Sequence, residues 1–438
     1  MDGLTKFLGR YMNNLKGDSE SQEAKAEEDQ PQNVTKDFRN DTFFSGYLPV
    51  DTEGQDMFYT LFESRTNETR DTDPLIMYIR GEPGCGASGT YFDRNSPYNL
   101  VINETLGQPD VILNPISWNN FSNVLYLDTP VGTGYSFPRS SDEALYNMDT
   151  VVNHFARFAK QFFSVHERFR NRPFYIIGQD FSAGKYIPAF VKALKDLQDG
   201  NFSDKEYDAA FFKGEELLLD EWINLKGLVL INPLIDAVIQ KNLTIQYSIF
   251  KKLVDDVDVF FMGKATQWCF DAIESGHFWE QILVCGISEA FAMGNPIYPS
   301  LNSRNIRKEC ENWLTCWSND PLTQQVMNMN DIVTRLGANT TSDSIWGDWQ
   351  WTDCNLWDGY KVQNDYSKTF AQIMDLGETS DAQLTELRYS ADPKTLLQEI
   401  LEERELKILV LAGDLDFQNN HMGVETVLKG LEWQGRDQ

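Results

Sequence analysis

Basic residues are scarce in this chain: 38 Lys and Arg stand against 66 Asp and Glu in 438 residues, a formal charge of −28 at pH 7. A protein that grips nucleic acid meets phosphates with a Lys/Arg surface, so no nucleic-acid partner is expected. The same balance opposes docking of the whole surface onto anionic lipid. Long apolar runs are missing too, and none approaches the ~20 residues of a transmembrane span. No two cysteines are spaced C-x-x-C, which removes zinc ribbons and thioredoxin-like centres. Neither a metal nor a cofactor is expected.

Apolar and aromatic residues, by contrast, are plentiful. The chain is 41% hydrophobic and 13% aromatic, with 28 Phe, 17 Tyr and 11 Trp, enough for a sizeable core. A wholly disordered chain is excluded. The length suits one large domain with an insertion, or two or three smaller ones.

Six cysteines, Cys85, Cys269, Cys285, Cys310, Cys316 and Cys354, fit three disulfides, although fifteen pairings exist and unpaired buried thiols are the alternative. Eight N-x-[ST] sequons stand at Asn33, Asn40, Asn67, Asn103, Asn120, Asn201, Asn242 and Asn339. That is roughly twice the chance expectation, and it makes them glycosylation candidates. Both signals point to the secretory pathway: a vacuolar or lysosomal lumen, or the extracellular space. The N-terminus disagrees, because it lacks the apolar stretch of a signal peptide. Leu4, Phe7, Leu8, Tyr11 and Leu15 instead fall at helical spacing, with Lys6, Arg10 and Lys16 on other faces. The spacing predicts an amphipathic helix over residues 1–16, a docking element that could join a larger assembly. A membrane-surface helix or a targeting segment is the other reading, and an intracellular or organellar assembly the other location.

Residues 17–40 are polar, acidic and almost free of apolar side chains, which predicts a flexible linker. Beyond them, strand-like runs at 75–79, 123–127, 174–177, 226–232 and 407–412 alternate with helical stretches, notably 149–165 and 185–198. Buried apolar strands alternating with helices predict an α/β fold with a mainly parallel central sheet flanked by helices. The rhythm breaks between 236 and 395, a stretch holding five of the six cysteines and the tryptophan-dense 346–357. It reads as a helical cap insertion on a core formed by 41–235 and 396–438, its tryptophans as packing beneath the cap.

Reactive groups of open parallel sheets gather at the carboxyl ends of strands. Three post-strand loops qualify: Arg80-Gly81-Glu82-Pro83-Gly84-Cys85-Gly86-Ala87, Gly178-Gln179-Asp180-Phe181-Ser182-Ala183-Gly184 and Gly413-Asp414-Leu415-Asp416-Phe417. A glycine-rich turn, a sharp strand-to-helix elbow and a late acid outline an α/β-hydrolase site.

These loops resemble those of the serine carboxypeptidases, from about residue 41 onward. That family's Asn-Gly-Gly-Pro-Gly-Cys-Ser-Ser is matched by Arg80 to Ala87, and its Trp-Asn by Trp118-Asn119. Its Asp-Gln-Pro-Val-Gly-Thr-Gly-Phe-Ser is matched by Asp128 to Ser136, and its Gly-Glu-Ser-Tyr-Ala-Gly-His-Tyr-Ile-Pro by Gly178 to Pro188. Ile231 to Asp236 and Ala412 to Asn420 match two more of its segments. The resemblance implies an α/β-hydrolase fold with Asp416 as the triad acid. Glu82 and Phe181 fall at the oxyanion-hole positions, and Arg80, Gly81 and Gln179 at those holding a peptide's terminal carboxylate. It also implies a Cys85–Cys354 disulfide tethering the oxyanion loop to the cap.

The departures matter more. One residue too many lies between the anchors of the elbow. Registering on Gly178 puts Asp180 at the nucleophile position, registering on Ala183 to Pro188 puts Phe181 there, and an elbow centred on Ser182 puts Asp180 where glycine is wanted. The nucleophile region therefore offers Ser182, or Asp180 as a carboxylate nucleophile. The family's histidine lies well downstream of its acid, yet only 22 residues follow Asp416 and none forms its Gly-His-Met turn. His421 is too near Asp416 in sequence, and His154, His166 and His277 read as structural or surface residues. A hydroxyl without a base is a poor nucleophile at pH 7. Glu82 also brings a carboxylate to a place meant to stabilise negative charge.

The expectation is a catalytically inactive pseudoenzyme that acts as a binding or structural subunit for peptide C-termini or a protein partner. The alternative is an active serine-type carboxypeptidase, removing C-terminal residues from peptides, whose C-terminal part is missing here and whose histidine comes from another segment or chain. Gly84-Cys85-Gly86-Ala87-Ser88-Gly89 also fits G-x-G-x-x-G, but the residues after it lack the periodicity of a pyrophosphate-binding helix.

Overall fold

A computed structural model describes residues 41–81, 84–103, 107–136, 148–202, 204–212, 223–274, 287, 291, 301–309, 321–338, 351 and 393–436. The helix expected over 1–16, the linker over 17–40, and Glu82, His277, Cys354, Asn33, Asn40 and Asn339 lie outside these residues.

The chain enters through an antiparallel pair, β1 (Phe43–Pro49) and β2 (Asp56–Phe62). The apolar runs read as strands are strands: β3 (Leu75–Ile79), then, past the separate hairpin β4 (Tyr98–Asn103) and β5 (Gln108–Leu113), β6 (Asn123–Leu127), β7 (Pro173–Gln179) and β8 (Asn224–Ile231). A small pair, β9 (Leu301–Asn302) and β10 (Asn305–Glu309), precedes β11 (Lys407–Leu411). The main sheet is ordered β1-β2-β6-β3-β7-β8-β11, and from β6 to β11 every neighbouring pair is parallel. This is the expected mainly parallel sheet.

Strand alternation sends successive side chains to opposite faces, and both faces are covered. Leu75, Met77, Ile79 and Ile176 point into one core with Val151, Phe155, Phe158 and Phe162 of α1 (Met148–Val165) and Ile187, Phe190 and Leu194 of α2 (Ile187–Gln198). Phe155 and Phe190 stack with ring centroids 3.9 Å apart. Ile76, Tyr78, Val124 and Tyr126 point into the other core, with Tyr91, Tyr98 and Trp351. The described helices continue with α3 (Lys205–Phe211), α4 (Ala237–Phe250), α5 (Asp256–Glu274), α6 (Pro321–Met327), α7 (Asn330–Arg335), α8 (Pro393–Glu403) and α9 (His421–Gly430). None of them is long and apolar enough to cross a membrane.

Gly84–Gly89 leads into a single 3-10 turn over Ala87–Thr90, so no pyrophosphate-binding helix follows the G-x-G-x-x-G stretch. Trp351, the one described residue of the tryptophan-dense stretch, is fully buried and donates from Nε1 to Ser88 Oγ at 3.0 Å.

Candidate active site

The carboxyl ends of β3, β6, β7, β8 and β11 carry Arg80, Asp128, Asp180, Asn232 and Asp416. The three loops singled out in the sequence therefore open at one edge of the sheet, where ligands of such folds bind.

The structure resolves the register of the elbow. Asp180 directly follows β7 and holds φ +51°, the left-handed conformation that strand-to-helix elbows impose on their apex residue. For a residue with a Cβ such a conformation costs roughly 1–3 kcal/mol, so the surroundings must enforce it. They do so through Leu234, whose N–H donates to the Asp180 carbonyl at 2.9 Å. The surplus residue is taken up just downstream, where Ser182–Tyr186 forms a π-turn before α2. A π-turn holds one residue more than the α-helical turn it replaces, so both sequence anchors keep their places.

Of the two nucleophile candidates, Asp180 sits at the apex and Ser182 does not. Ser182 is fully buried, its Oγ donates to the carbonyl of Arg80, and its N–H donates to Gly81 O at 3.0 Å. The hydroxyl is spent on tying the elbow to the glycine-rich loop. Phe181 points into the core, edge-on to Tyr186.

The Asp180 carboxylate accepts from Asn419 Nδ2 at 3.1 Å and lies 3.9 Å from the Arg304 guanidinium. It also presses on the glycine-rich loop: a Cβ on Gly81 would stand 2.9 Å from Asp180 Oδ2 and 2.7 Å from Gln179 Cγ. Only glycine fits there. Burial and the neighbouring Asp416 push the Asp180 carboxyl up to about 7, with Asn419 and Arg80 pulling the other way. Asp416 is buried, and its Oδ1 accepts the Asn419 N–H at 2.8 Å while Oδ2 accepts Asn232 Nδ2 at 2.6 Å. Burial raises its pKa as well. Asn232, at φ +45°, also accepts the Gly413 N–H at 2.6 Å on Oδ1, locking the loop that carries the acid.

Arg80 is buried, its positive charge felt by Asp180 and Asp128 alike. Gln179 accepts from the Tyr78 hydroxyl at 3.0 Å. Asp128 is buried and accepts from Ser88 N, Ser88 Oγ and Tyr135 N, which braces the loop after β6 against the glycine-rich loop.

None of the three described histidines hydrogen-bonds Asp180 or Asp416. His421 opens α9 with Nδ1 3.9 Å from Asp414, its ring against Tyr247 and Phe250. His166 is buried beneath β2, 2.7 Å from the Tyr59 hydroxyl. Burial pushes His154 and His166 down to about 3, which keeps both neutral.

Sequence reading missed the roles of Asn419 and Arg304. Asn419 figured in the sequence only as part of the matched segment Ala412 to Asn420. Arg304 lies at the β9–β10 turn, and only folding brings it near: Ser303 O accepts the Phe417 N–H at 2.8 Å, stitching that turn to the loop that carries Asp416. No sequence signal marks that contact.

Cys85 and Cys269 each take part in a disulfide, and among the described residues no three His, Cys, Asp or Glu side chains converge to hold a metal ion.

A family model for serine carboxypeptidases matches residues 31–438. A serine carboxypeptidase-like protein of Oryza sativa is 26% identical over 407 residues, covering 90% of this chain and 79% of the relative. Carboxypeptidase Y of Candida albicans is 26% identical over 416 residues, and the chain spans 64% of that relative. Among solved structures, a prohormone-processing carboxypeptidase of Saccharomyces cerevisiae superposes with a TM-score of 0.66 at 21% identity, covering 90% of this chain and 78% of the other. The α/β-hydrolase fold read from the loops is thereby established.

Proposed function

Because the chain belongs to the serine carboxypeptidase family, we propose that it is a catalytically inactive member that serves as a binding or structural subunit. The observation that carries this reading is Asp180 at the apex of the elbow, with Ser182 buried behind it. Acyl transfer by a serine needs a hydroxyl at the apex, a base to take its proton and donors aimed at the oxyanion. Here a carboxylate occupies the apex, and an asparagine joins it to the acid. An asparagine amide cannot accept and return a proton as an imidazole does. A histidine supplied by another segment or chain would meet a carboxylate rather than a hydroxyl.

Ligand binding outlives this loss of chemistry. Arg80 sits at the base of the site, and its planar fork suits a peptide's terminal carboxylate, with Gly81 and Gln179 beside it. A lumenal or extracellular location fits the exposed sequon residues Asn67, Asn201 and Asn242 and the disulfide-bonded Cys85, whose partner on this reading is Cys354 in the cap.

Labelling with a fluorophosphonate probe tests the proposal. The expected result is no labelling of the purified chain, whereas labelling that disappears in Ser182→Ala overturns it. Titration with peptides that differ only in a free or amidated C-terminus should show preference for the free carboxylate, lost in Arg80→Ala.

A further inference from the structure

The walls of the candidate site carry both signs of charge. Arg80 and Arg304 supply two cations, and Asp180 and Asp416 supply two acids that Asn419 joins. The two signs lie side by side. β3 and β7 are parallel neighbours with Ile79 level with Gly178, so the chain beyond them sets Arg80 beside Gln179 and Gly81 beside Asp180. Adjacent strands stand about 4.8 Å apart, and the crowding of Asp180 Oδ2 against Gly81 keeps the two loops close past the strand ends. The Asp180 carboxylate is therefore next to the trio that suits a terminal carboxylate. Its side chain is 14% exposed and that of Arg304 29%, so a ligand can reach both.

The acid pair is only partly answered from within. Asn419 gives Asp180 one amide, Arg304 stands off at 3.9 Å, and the Tyr78 hydroxyl is engaged by Gln179. Burial beside Asp416 leaves Asp180 holding a proton up to about pH 7, and a ligand cation can take that proton's place. A metal ion is not the cation these groups suit, since among the described residues no third ligand converges on the pair. An anion alone fares worse. A carboxylate gripped by Arg80 meets ionised Asp180 as a like charge close by.

A ligand with both charges one carbon apart answers both walls at once. On the reading that Arg80 receives a terminal carboxylate, we propose that the site binds free α-amino acids, the carboxylate on Arg80 and the ammonium on Asp180. In a longer peptide the same nitrogen is an uncharged amide. Asp180 thus selects the free amino acid over the peptide end.

Calorimetric titration of the full chain at pH 7.5 tests this, with alanine, leucine and phenylalanine each supplied free, N-acetylated and as the amide. These side chains are uncharged, so only the α groups differ. For the side chain that binds best, the free form is expected to bind at least tenfold more tightly than either derivative, the scale of one charge-assisted hydrogen bond. In Asp180→Asn the gap between free and N-acetylated forms should close to threefold or less, while the preference over the amide remains. An undiminished melting temperature verifies that this variant folds. An N-acetylated form within tenfold of the free one overturns the proposal and leaves the terminal-carboxylate reading standing. An amide that binds as well as the free form overturns that reading, and the proposal with it. A gap that persists in Asp180→Asn takes the ammonium away from Asp180. Absence of binding by all the compounds also overturns the proposal, and a peptide with a free C-terminus, titrated alongside, then reports whether the underlying reading survives.

Discussion

Asp180 and Asp416 are held together by a single residue: Asn419 donates its side-chain amide to the first and its backbone N–H to the second. Two buried acids at this distance from one donor cannot both ionise freely. The sign of the consequence follows from linkage. Asp180 keeps its proton in the folded chain up to about pH 7, while the unfolded chain releases it near the usual carboxylate pKa of about 4. Between those values the folded state binds more protons, so stability falls as pH rises and the loss is complete above pH 7. Asp180→Asn removes the titration but keeps the shape. Its melting temperature should match the parent near pH 4 and exceed it at pH 8, by an amount that corresponds to at most about 4 kcal/mol. A constant difference across that range would show that the burial of Asp180 is relieved in solution.

The elbow leaves no room for side-chain growth where it crosses the loop after β8. A Cβ on Gly184 would lie 1.8 Å from the Leu234 carbonyl oxygen, a backbone atom that cannot step aside. Gly184→Ala should therefore cost about 3 kcal/mol or more, or abolish folding. Gly263→Ala is the control, in the open face of a helix, and should stabilise by about 0.5–1 kcal/mol through propensity alone. Urea unfolding of the two variants measures both.

These two positions also mark what the sequence makes legible. The strands were readable because runs such as 75–79 and 123–127 are buried on both faces and carry no competing polar pattern. The three loops were readable because turns demand particular residues at particular spacings. The surplus residue at the elbow was visible too, but not its resolution. Whether a helix absorbs an insertion as a π-turn depends on what fixes its two ends, here the Leu234–Asp180 hydrogen bond and Gly184 against Leu234. The same limit hid Arg304 and the bridging by Asn419, contacts between segments more than a hundred residues apart. The tryptophan-dense stretch was legible as packing at Trp351 because a residue so large and apolar has few other places to go.

Asn232 should prove the most sensitive polar residue of the site. It satisfies both Asp416 Oδ2 and the Gly413 N–H, and it does so at a positive φ that asparagine tolerates better than most residues. Asn232→Ala removes this donor from the buried Asp416, leaves the exposed Gly413 N–H to water and strains the backbone, a loss of about 1–3 kcal/mol. Asn232→Asp keeps the shape but faces Asp416 with a like charge. Its deficit should therefore grow as pH rises through the carboxylate range, whereas that of the alanine variant should be less sensitive to pH. Denaturant titrations at pH 4 and pH 8 separate the two outcomes.

The outer edge of the sheet gives the last expectation. β11 pairs with β8 on one side, and among the described residues no strand pairs with its other side. Its Leu409 and Leu411 are 53% and 45% exposed, an apolar edge of the kind that templates pairing with another chain. The charge of −28 opposes that association through self-repulsion, so screening it should expose the hazard. Light scattering of the purified chain is expected to rise with salt. Leu409→Lys should suppress the rise while changing stability by no more than about 0.5 kcal/mol, since the side chain it replaces is already half in water. Scattering that rises equally in the variant would locate the adhesive surface elsewhere.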